Sequence, residues 1–258
     1  MDSSHVFTIN SFSRACADCQ LQDLCLPIGL SREEIDKLDQ IVSRRSPLGR
    51  STVLFKQGAR FKSLVAVRSG SIKSFTTEDG IEQIIAFHLP GEILGLDAIG
   101  EGRHQSTAVA LETASVCELP FDRLHVLAQE VKGLQHQLLR IMSRNLGTED
   151  QFKRLVAHHG ADERLAGFLL NLASRYALRG YSNSELNLSM TRSDIANYLG
   201  LAVETVSRTF THFQQDGLIA IHGRTIKILR RDALEMVAGD TAARDRFSAT
   251  DPLNRTGN

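Results

Sequence analysis

The spacing of apolar residues changes once along the chain, near residue 120, and this change restricts the fold more than any other feature. From about Ser51 to Pro120, short β-prone runs such as Thr52–Phe55 alternate with almost evenly spaced glycines. From Leu124 onward, apolar residues recur every three or four positions instead. Evenly spaced short strands are typical of an antiparallel sandwich or barrel, and the later spacing is typical of helices. The sequence therefore predicts an α+β fold in which strands come first and helices follow.

The composition excludes several classes of protein. Thirty Lys and Arg residues balance thirty Asp and Glu residues over 258 residues, so the net charge identifies no partner. Residues 151–230 carry ten basic and six acidic side chains, a local excess of four that suits nucleic acid. No apolar run reaches the roughly 18 residues of a membrane span, and residues 1–14 lack the pattern of a signal peptide. We expect no membrane association and a cytoplasmic location, where four cysteines would be reduced or bind metal.

An apolar series with heptad spacing follows the β-prone region. It begins at Leu124, passes a polar position at Asn145 and reaches Leu155. This spacing favours a parallel contact between two helices, one from each subunit of a homodimer. One amphipathic helix packed on its own domain is the alternative. The predicted dimer contacts are Leu127, Val131, Leu134, Leu138, Ile141 and Asn145.

The segment Thr191–Phe210 has the pattern of a helix-turn-helix. Thr191 can cap the first helix, with Asp194 three residues later completing a capping box. Gly200 stands where the turn between the two helices needs a positive φ. Such a unit places its second helix in the major groove of double-stranded DNA. A pair of helices without a DNA role is the alternative.

The start of the second helix carries a polar face suited to reading bases. Glu204, Ser207 and Arg208 are spaced so that they project from one side of the helix. Arginine can donate two hydrogen bonds to guanine, and glutamate can accept one from cytosine. Val203, just before them, offers only apolar contact, as to a thymine methyl group. These four residues are the predicted base-reading positions.

A hairpin follows the second helix and predicts a winged helix. The β-prone segments 219–221 and 225–229 flank His222, Gly223 and Arg224. We expect Arg224, at the turn of this wing, to contact a DNA phosphate.

Three cysteines lie close together near the N-terminus and the fourth lies far along the chain. Cys16, Cys19 and Cys25 have the spacing C-x2-C-x5-C, and Cys117 falls in a β-prone run. Several thiolates on a pliable loop suit an iron–sulfur cluster. A structural zinc site is the main rival, although zinc sites more often use two C-x2-C pairs. Unrelated free cysteines are the third possibility that the spacing leaves open.

With these motifs located, the order of parts resembles the superfamily of the cyclic-AMP receptor protein and the fumarate–nitrate reduction regulator. The resemblance covers roughly residues 12–238 and is greatest to the fumarate–nitrate branch. Members of that branch hold a [4Fe–4S] cluster through three leader cysteines and one β-roll cysteine, which Cys16, Cys19, Cys25 and Cys117 match. Its E-x-x-S-R motif is matched by Glu204, Ser207 and Arg208.

The resemblance implies a fold and a function. The expected fold is an N-terminal antiparallel, jelly-roll-like β-roll, a long dimerisation helix and a C-terminal winged helix-turn-helix. The expected function is that of an oxygen sensor and transcription activator. An intact, oxygen-labile [4Fe–4S] cluster would favour a homodimer that binds palindromic TTGAT-N4-ATCAA-like DNA sites and acts with RNA polymerase. The expected domains are 1–30 (cysteine-rich leader), 31–120 (β-roll), 121–157 (dimerisation helix), 158–238 (winged helix) and 239–258 (disordered tail).

Departures from the nucleotide-binding relatives make cyclic AMP an improbable ligand. Those relatives carry a Glu for the ribose where this chain has Leu96, and an Arg-Ser pair for the phosphate where it has Gln105-Ser106. An apolar side chain cannot bind ribose hydroxyls, and glutamine cannot neutralise a phosphate.

Other functions remain open from the residues. A regulator of the same fold could sense nitric oxide, redox state or another small molecule. A zinc-binding or iron–sulfur scaffold or electron-transfer protein is a rival of a different class, although it would have no use for a base-reading helix. Since no nucleophile–base pair, P-loop or H-E-x-x-H motif occurs, we do not expect an enzyme.

Overall fold

The computed structural model describes residues 16–239, apart from the side chains of residues 46 and 148–158. Residues 1–15 of the predicted leader and residues 240–258 of the predicted disordered tail lie outside the described residues. Within the described part of the chain, no helix has the length and apolar character needed to cross a membrane.

The N-terminal half is a roll of two antiparallel sheets, as the sequence predicts. A short 3-10 helix, Cys16–Asp18, and helix α1, Arg32–Ile41, precede it. Eight strands follow: β1 Ser43–Leu48, β2 Val53–Phe55, β3 Ser63–Ser69, β4 Ile72–Glu78, β5 Ile81–His88, β6 Ile93–Leu94, β7 Thr107–Ala110 and β8 Ala114–Pro120. One sheet has the order β1-β8-β3-β6 and the other the order β2-β7-β4-β5. The apolar faces of the two sheets enclose the core between them.

The predicted long helix is two helices in the structure. Helix α2 spans Phe121–Glu130 and helix α3 spans Lys132–His158, while Val131 between them has φ −108° and ψ 92°. These extended angles interrupt the helical hydrogen bonding, so the expectation of one continuous helix over 121–157 is wrong. Both helices still pack on one core, because Leu124 and Leu127 of α2 and Leu134 of α3 belong to the same buried cluster.

The C-terminal half is a winged helix. Its elements are α4 Ala161–Ala177, β9 Glu185–Asn187, α5 Arg192–Leu199, α6 Val203–Gln215, β10 Ile219–His222, β11 Thr225–Ile228 and α7 Arg231–Val237. The three strands form an antiparallel sheet in the order β10-β11-β9. The fully buried rings of Phe210 and Phe213 anchor α6 in the core. This confirms the predicted fold class, a β-roll followed by helices and a winged helix-turn-helix.

The β-roll and the winged helix share one apolar core. Phe75, Ile84 and Phe87, from β4 and β5, belong to the same buried cluster as the side chains of α4. Lys73 on β4 also forms an ion pair with Asp194 on α5, with Nζ 2.7 Å from Oδ1. The hairpin β4–β5 is therefore one of the parts of the roll that contact the winged helix.

Candidate DNA-binding face and cysteine site

Local hydrogen bonds position the helix-turn-helix as the sequence predicts. The Oγ1 atom of Thr191 accepts from the Asp194 N–H at 3.0 Å, and the Asp194 carboxylate accepts from the Thr191 N–H at 2.9 Å. Gly200 ends α5 with φ 63° and ψ 40°, a left-handed conformation that glycine adopts without strain. The turn leads directly into α6, whose first residue is Val203.

The predicted base-reading residues share the solvent-facing side of α6. Glu204, Ser207 and Arg208 are exposed, and Val203 at the N-terminus of the helix is 39% exposed. The opposite side is held in the core through Val206 and Phe210, which have almost no exposed surface. A helix anchored on one side, with charged and apolar contacts free at its N-terminal end, has the arrangement of a major-groove reader.

Arg224 has a structural role that the sequence did not predict. Its Nε donates to the Leu188 carbonyl oxygen at 2.9 Å, and Nη2 donates to the Ser189 carbonyl oxygen. The side chain thus ties the wing to the segment between β9 and α5. Arg224 is nevertheless exposed, so its contact with a DNA phosphate stays a prediction beside this role within the chain.

The predicted dimer residues lie mostly in the core of their own chain. Leu127, Val131 and Leu134 are buried among side chains of the β-roll and α1, which corrects their assignment to a subunit interface. Leu138 and Ile141 pack partly against the same core, and Asn145 is exposed. Their heptad spacing therefore reflects, for most of its length, packing inside the chain and not a contact between subunits.

A second apolar row on α3 faces solvent instead. Leu139, Met142 and Leu146 are 58%, 37% and 66% exposed, and their spacing places them on one side of the helix. We call these three residues the exposed stripe. It is displaced by one residue from the predicted positions Leu138, Ile141 and Asn145.

The fold brings the four cysteines to one pocket. Cys16, Cys19 and Cys25 lie on consecutive turns of the leader, and Cys117 lies on β8. All four are free thiols and are partly buried. Leu26, Leu38 and Leu119 are among the apolar side chains that line the same pocket. Among residues 16–239 no three His, Cys, Asp or Glu side chains have the spacing of a preformed metal site, so these thiols would have to draw together around a bound metal.

The environment of Cys16, Cys25 and Cys117 favours the neutral thiol in the chain without metal. Burial raises the pKa of Cys25 to about 12. Burial and the neighbouring Asp39 raise the pKa of Cys16 to about 12, and burial also raises the pKa of Cys117. Because metal ligands must be thiolates, loading this pocket releases protons. A donor set of four sulfurs in an apolar pocket fits an iron–sulfur cluster and also fits zinc.

An ion pair beside Cys16 was missed by the sequence analysis. The Arg44 guanidinium on β1 binds the Asp39 carboxylate, and its Nη2 lies 3.8 Å from the Cys16 Sγ. Asp39 Oδ1 also accepts from the Cys16 N–H at 2.9 Å. Burial would raise the pKa of Asp39, but the hydrogen bonds from Cys16 and Arg44 lower it, so the pair stays charged. Both charged residues therefore position Cys16.

A carboxylate occupies the donors that correspond to the phosphate-binding residues of nucleotide-binding relatives. The Asp97 Oδ2 atom accepts from the Gln105 N–H at 3.1 Å and from the Ser106 hydroxyl at 2.9 Å. Ser106 is buried, with 3% of its surface exposed. These donors already have an anionic partner inside the chain, which supports the expectation that cyclic AMP is not bound.

A β-roll with a cysteine pocket, a helix with an exposed apolar stripe and a winged helix with an exposed reading face define a transcription regulator. Residues 163–237 match the Crp-like helix-turn-helix domain family, and residues 46–130 match the cyclic nucleotide-binding domain family. The chain is 48% identical over 227 residues to the fumarate and nitrate reduction regulatory protein of Escherichia coli K12, covering 88% of this chain and 91% of that protein. It belongs to the fumarate–nitrate reduction regulator branch of the cyclic-AMP receptor protein superfamily.

Two further comparisons agree with this assignment. The transcriptional activator protein Anr of Pseudomonas protegens is 50% identical over 225 residues, covering 87% of this chain and 92% of Anr. The solved structure of FixK2 from Bradyrhizobium japonicum superimposes with a TM-score of 0.71 at 27% identity, covering 76% of this chain and 97% of that one.

Proposed function

We propose that this chain is an oxygen-responsive transcription activator whose four cysteines hold a [4Fe–4S] cluster. The observation that carries the proposal is the convergence of Cys16, Cys19 and Cys25 of the leader and Cys117 of β8 on one pocket. A bound cluster supplies a centre that reacts with oxygen. The protein would supply four thiolates as ligands and an apolar wall around them. The Arg44–Asp39 pair would hold Cys16 in position.

The dimer of this proposal forms through the exposed stripe. Leu139, Met142 and Leu146 present apolar surface that no part of the described chain covers. Pairing α3 with its copy across a two-fold axis would bury this surface and would bring two reading helices to the two halves of a palindrome. An equilibrium between monomer and dimer near balance is the kind that a small cluster-dependent term can shift.

The DNA site of this proposal is a palindrome of TTGAT half-sites. Arg208 is assigned to the guanine, Glu204 to a base on the complementary strand, and Ser207 to a neighbouring contact. Val203 contributes apolar contact, which favours thymine over guanine at its position. The bound dimer then activates transcription by contacting RNA polymerase in the cytoplasm.

Anaerobic purification tests the proposal directly. We expect a brown protein with about four irons and four sulfides per chain. Exposure to air should bleach it and abolish specific DNA binding. A colourless protein with stoichiometric zinc would refute the cluster and would support the structural-zinc alternative. A brown protein whose DNA binding responds to nitric oxide but not to air would support the cluster. It would also show that nitric oxide, and not oxygen, is the signal.

A further inference from the structure

The turn Leu89–Glu92, between β5 and β6, touches both the cysteine loop and the winged helix. On one side, Gly91 lies against Leu24, one residue before Cys25. A Cβ atom placed on Gly91 would be 2.9 Å from the Leu24 Cβ, closer than side chains approach each other. Gly91 also has φ 90°, which side-chain-bearing residues rarely adopt. The turn is therefore in direct contact with the loop that carries three of the cysteines.

On the other side, Glu92 holds two arginines of the winged helix. Its carboxylate accepts from Arg175 at 3.0 and 2.6 Å and from Arg179 at 2.6 Å. The same guanidiniums also donate to nearby backbone oxygens. Arg175 donates to the Phe87 carbonyl oxygen of β5 at 2.5 Å, and Arg179 donates to the Pro90 carbonyl oxygen of the turn at 2.7 Å. The end of α4 is thus fixed by four hydrogen bonds to this turn and by one to the adjoining strand β5.

The turn is held at its base and its charges persist at neutral pH. The Gly91 N–H donates to the Val67 carbonyl oxygen at 2.8 Å, and the Val67 N–H donates to the Glu92 carbonyl oxygen at 2.9 Å. Burial would raise the pKa of Glu92, but Arg175 and Arg179 lower it to about 2. The turn is therefore bound to β3 through its backbone and to two arginines through the Glu92 carboxylate.

We propose that the turn Leu89–Glu92 couples the cysteine loop to the winged helix within a single chain. Leu24 presses on Gly91, Gly91 is bonded to Glu92, and Glu92 holds Arg175 and Arg179. A displacement of the chain at Cys25 is therefore transmitted to the end of α4 without passing through helix α3. This inference rests on the proposed function for its signal, a cluster bound or lost at Cys25, but the contacts themselves exist without it. Glu92 is a positioning residue in this account and does not contact DNA or the cluster.

The metal-free protein tests the coupling independently of the cluster. Hydrogen–deuterium exchange is measured in residues 172–182, which contain Arg175 and Arg179. Leu24→Gly removes the Cβ that lies against Gly91, and we expect it to raise exchange there at least about twofold, relative to residues 231–237 of α7. Twofold corresponds to the lower range of coupling between contacting residues. In a Glu92→Gln background, Leu24→Gly should add nothing further. An unchanged exchange in residues 172–182, or the same increase in both backgrounds, would overturn the proposal.

Lys73→Gln is the matched control for Glu92→Gln. It also removes an ion pair between the β-roll and the winged helix, the one to Asp194, but it lies away from the cysteine loop. Leu24→Gly should keep its full effect in that background. If Glu92→Gln does not fold, Arg179→Lys tests the same link, because lysine cannot make both of the bonds that join Arg179 to the turn. Retention of the full Leu24→Gly effect in Arg179→Lys would then refute the proposed route.

The cluster-loaded protein completes the test. In the wild type, loading iron and sulfide anaerobically should change exchange in residues 172–182, and this response should be lost in Glu92→Gln at equal iron content. If no chain takes up iron, the proposed function fails while the metal-free comparison still decides the coupling. If iron is bound but residues 172–182 do not respond, the coupling fails while the proposed function stands.

Discussion

Arg44 and Cys117 face each other across the antiparallel pairing of β1 with β8. From this position the Arg44 guanidinium reaches the Cys16 sulfur, so one arginine bridges the strand cysteine and the leader cysteine. Its partner Asp39 fixes the Cys16 backbone at the same time. A hydrogen bond to a ligating sulfur and a nearby positive charge both stabilise an anionic cluster.

Arg44→Gln should therefore shorten the lifetime of the proposed cluster. We expect the visible absorbance to decay roughly tenfold faster in air. Removing a group that supports a metal ligand usually lowers metal affinity or activity by about tenfold or more. Arg45→Gln is the matched control, because Arg45 is its neighbour on β1 but pairs with Glu118 at 2.7 Å. Equal decay rates for the two variants would show that Arg44 does not support the cluster.

Replacing any one cysteine of the pocket with serine should prevent retention of a full cluster. Three thiolates leave one iron open to exchange and attack, so iron and sulfide per chain should fall together with anaerobic regulation. Ser115→Ala, on the same strand as Cys117, is the control for Cys117→Ser. A Cys117→Ser protein that keeps four irons and regulates normally would remove Cys117 from the ligand set.

The exposed stripe and the buried series on the helices should respond differently to truncation. Leu146→Ala should weaken the dimer in sedimentation experiments while leaving the unfolding free energy of the monomer nearly unchanged, because Leu146 is exposed. Leu134→Ala should lower the unfolding free energy by about 2–5 kcal/mol, because Leu134 is fully buried in its own chain. An undisturbed dimer in Leu146→Ala would place the subunit contact elsewhere.

Arg208 should determine base specificity. Arg208→Ala should cost about 1–3 kcal/mol per half-site and relax selection at the guanine, since a bidentate contact is lost. Val203→Arg should shift the preference toward guanine at the second position of the half-site. Both are measured at one salt concentration on specific and random DNA, because backbone affinity varies steeply with salt. Equal weakening on both DNAs in Arg208→Ala would show that Arg208 contacts only the backbone.

Arg224→Ala provides the contrast on the wing. Because its guanidinium binds the carbonyl oxygens of Leu188 and Ser189, we expect a loss of stability in the winged helix as well as weaker binding to all sequences. Thermal unfolding without DNA separates these effects. Unchanged unfolding with uniformly weaker binding would make the phosphate contact the main role of Arg224.

His88 should make the β-roll less stable as the pH falls below neutral. Burial lowers the pKa of His88 to about 4 from an ordinary value near 6.5. Between those values the unfolded chain binds a proton that the folded chain does not, so the unfolding free energy falls as the pH falls from 6.5 to 4. His88→Gln should reduce this slope by about one proton in denaturation experiments across that range.

The control for this variant is His222→Gln, at the exposed tip of the wing. A slope that stays the same in His88→Gln would assign the pH dependence to another group, such as His104, whose pKa burial also lowers.

The sequence predicted best those parts whose signals are local. The capping box of Thr191 and Asp194 and the turn at Gly200 depend on residues within one motif, so their spacing was sufficient. The cysteines were also found by spacing, but their gathering in one pocket depends on β8 reaching the leader. The pairing of β1 with β8 and the contact of Arg44 with Cys16 were not predicted. The sequence of β1, Ser-Arg-Arg-Ser-Pro-Leu, is polar enough to resemble a loop.

The helix was predicted less well because apolar spacing does not identify the partner. Leu127, Val131 and Leu134 have the same heptad positions whether they face a second subunit or their own sheet. Only the three-dimensional structure shows that Val131 breaks the helix and that the surface left free is displaced by one residue.

The Asp97 carboxylate has a consequence for what the β-roll can report. In a receptor, an empty and an occupied pocket are two states, and their ratio follows the concentration of a diffusing ligand. Here the acceptor for Gln105 and Ser106 is attached to the chain and is always present. These donors therefore need no diffusing nucleotide to complete their hydrogen bonds, and their state does not depend on its concentration.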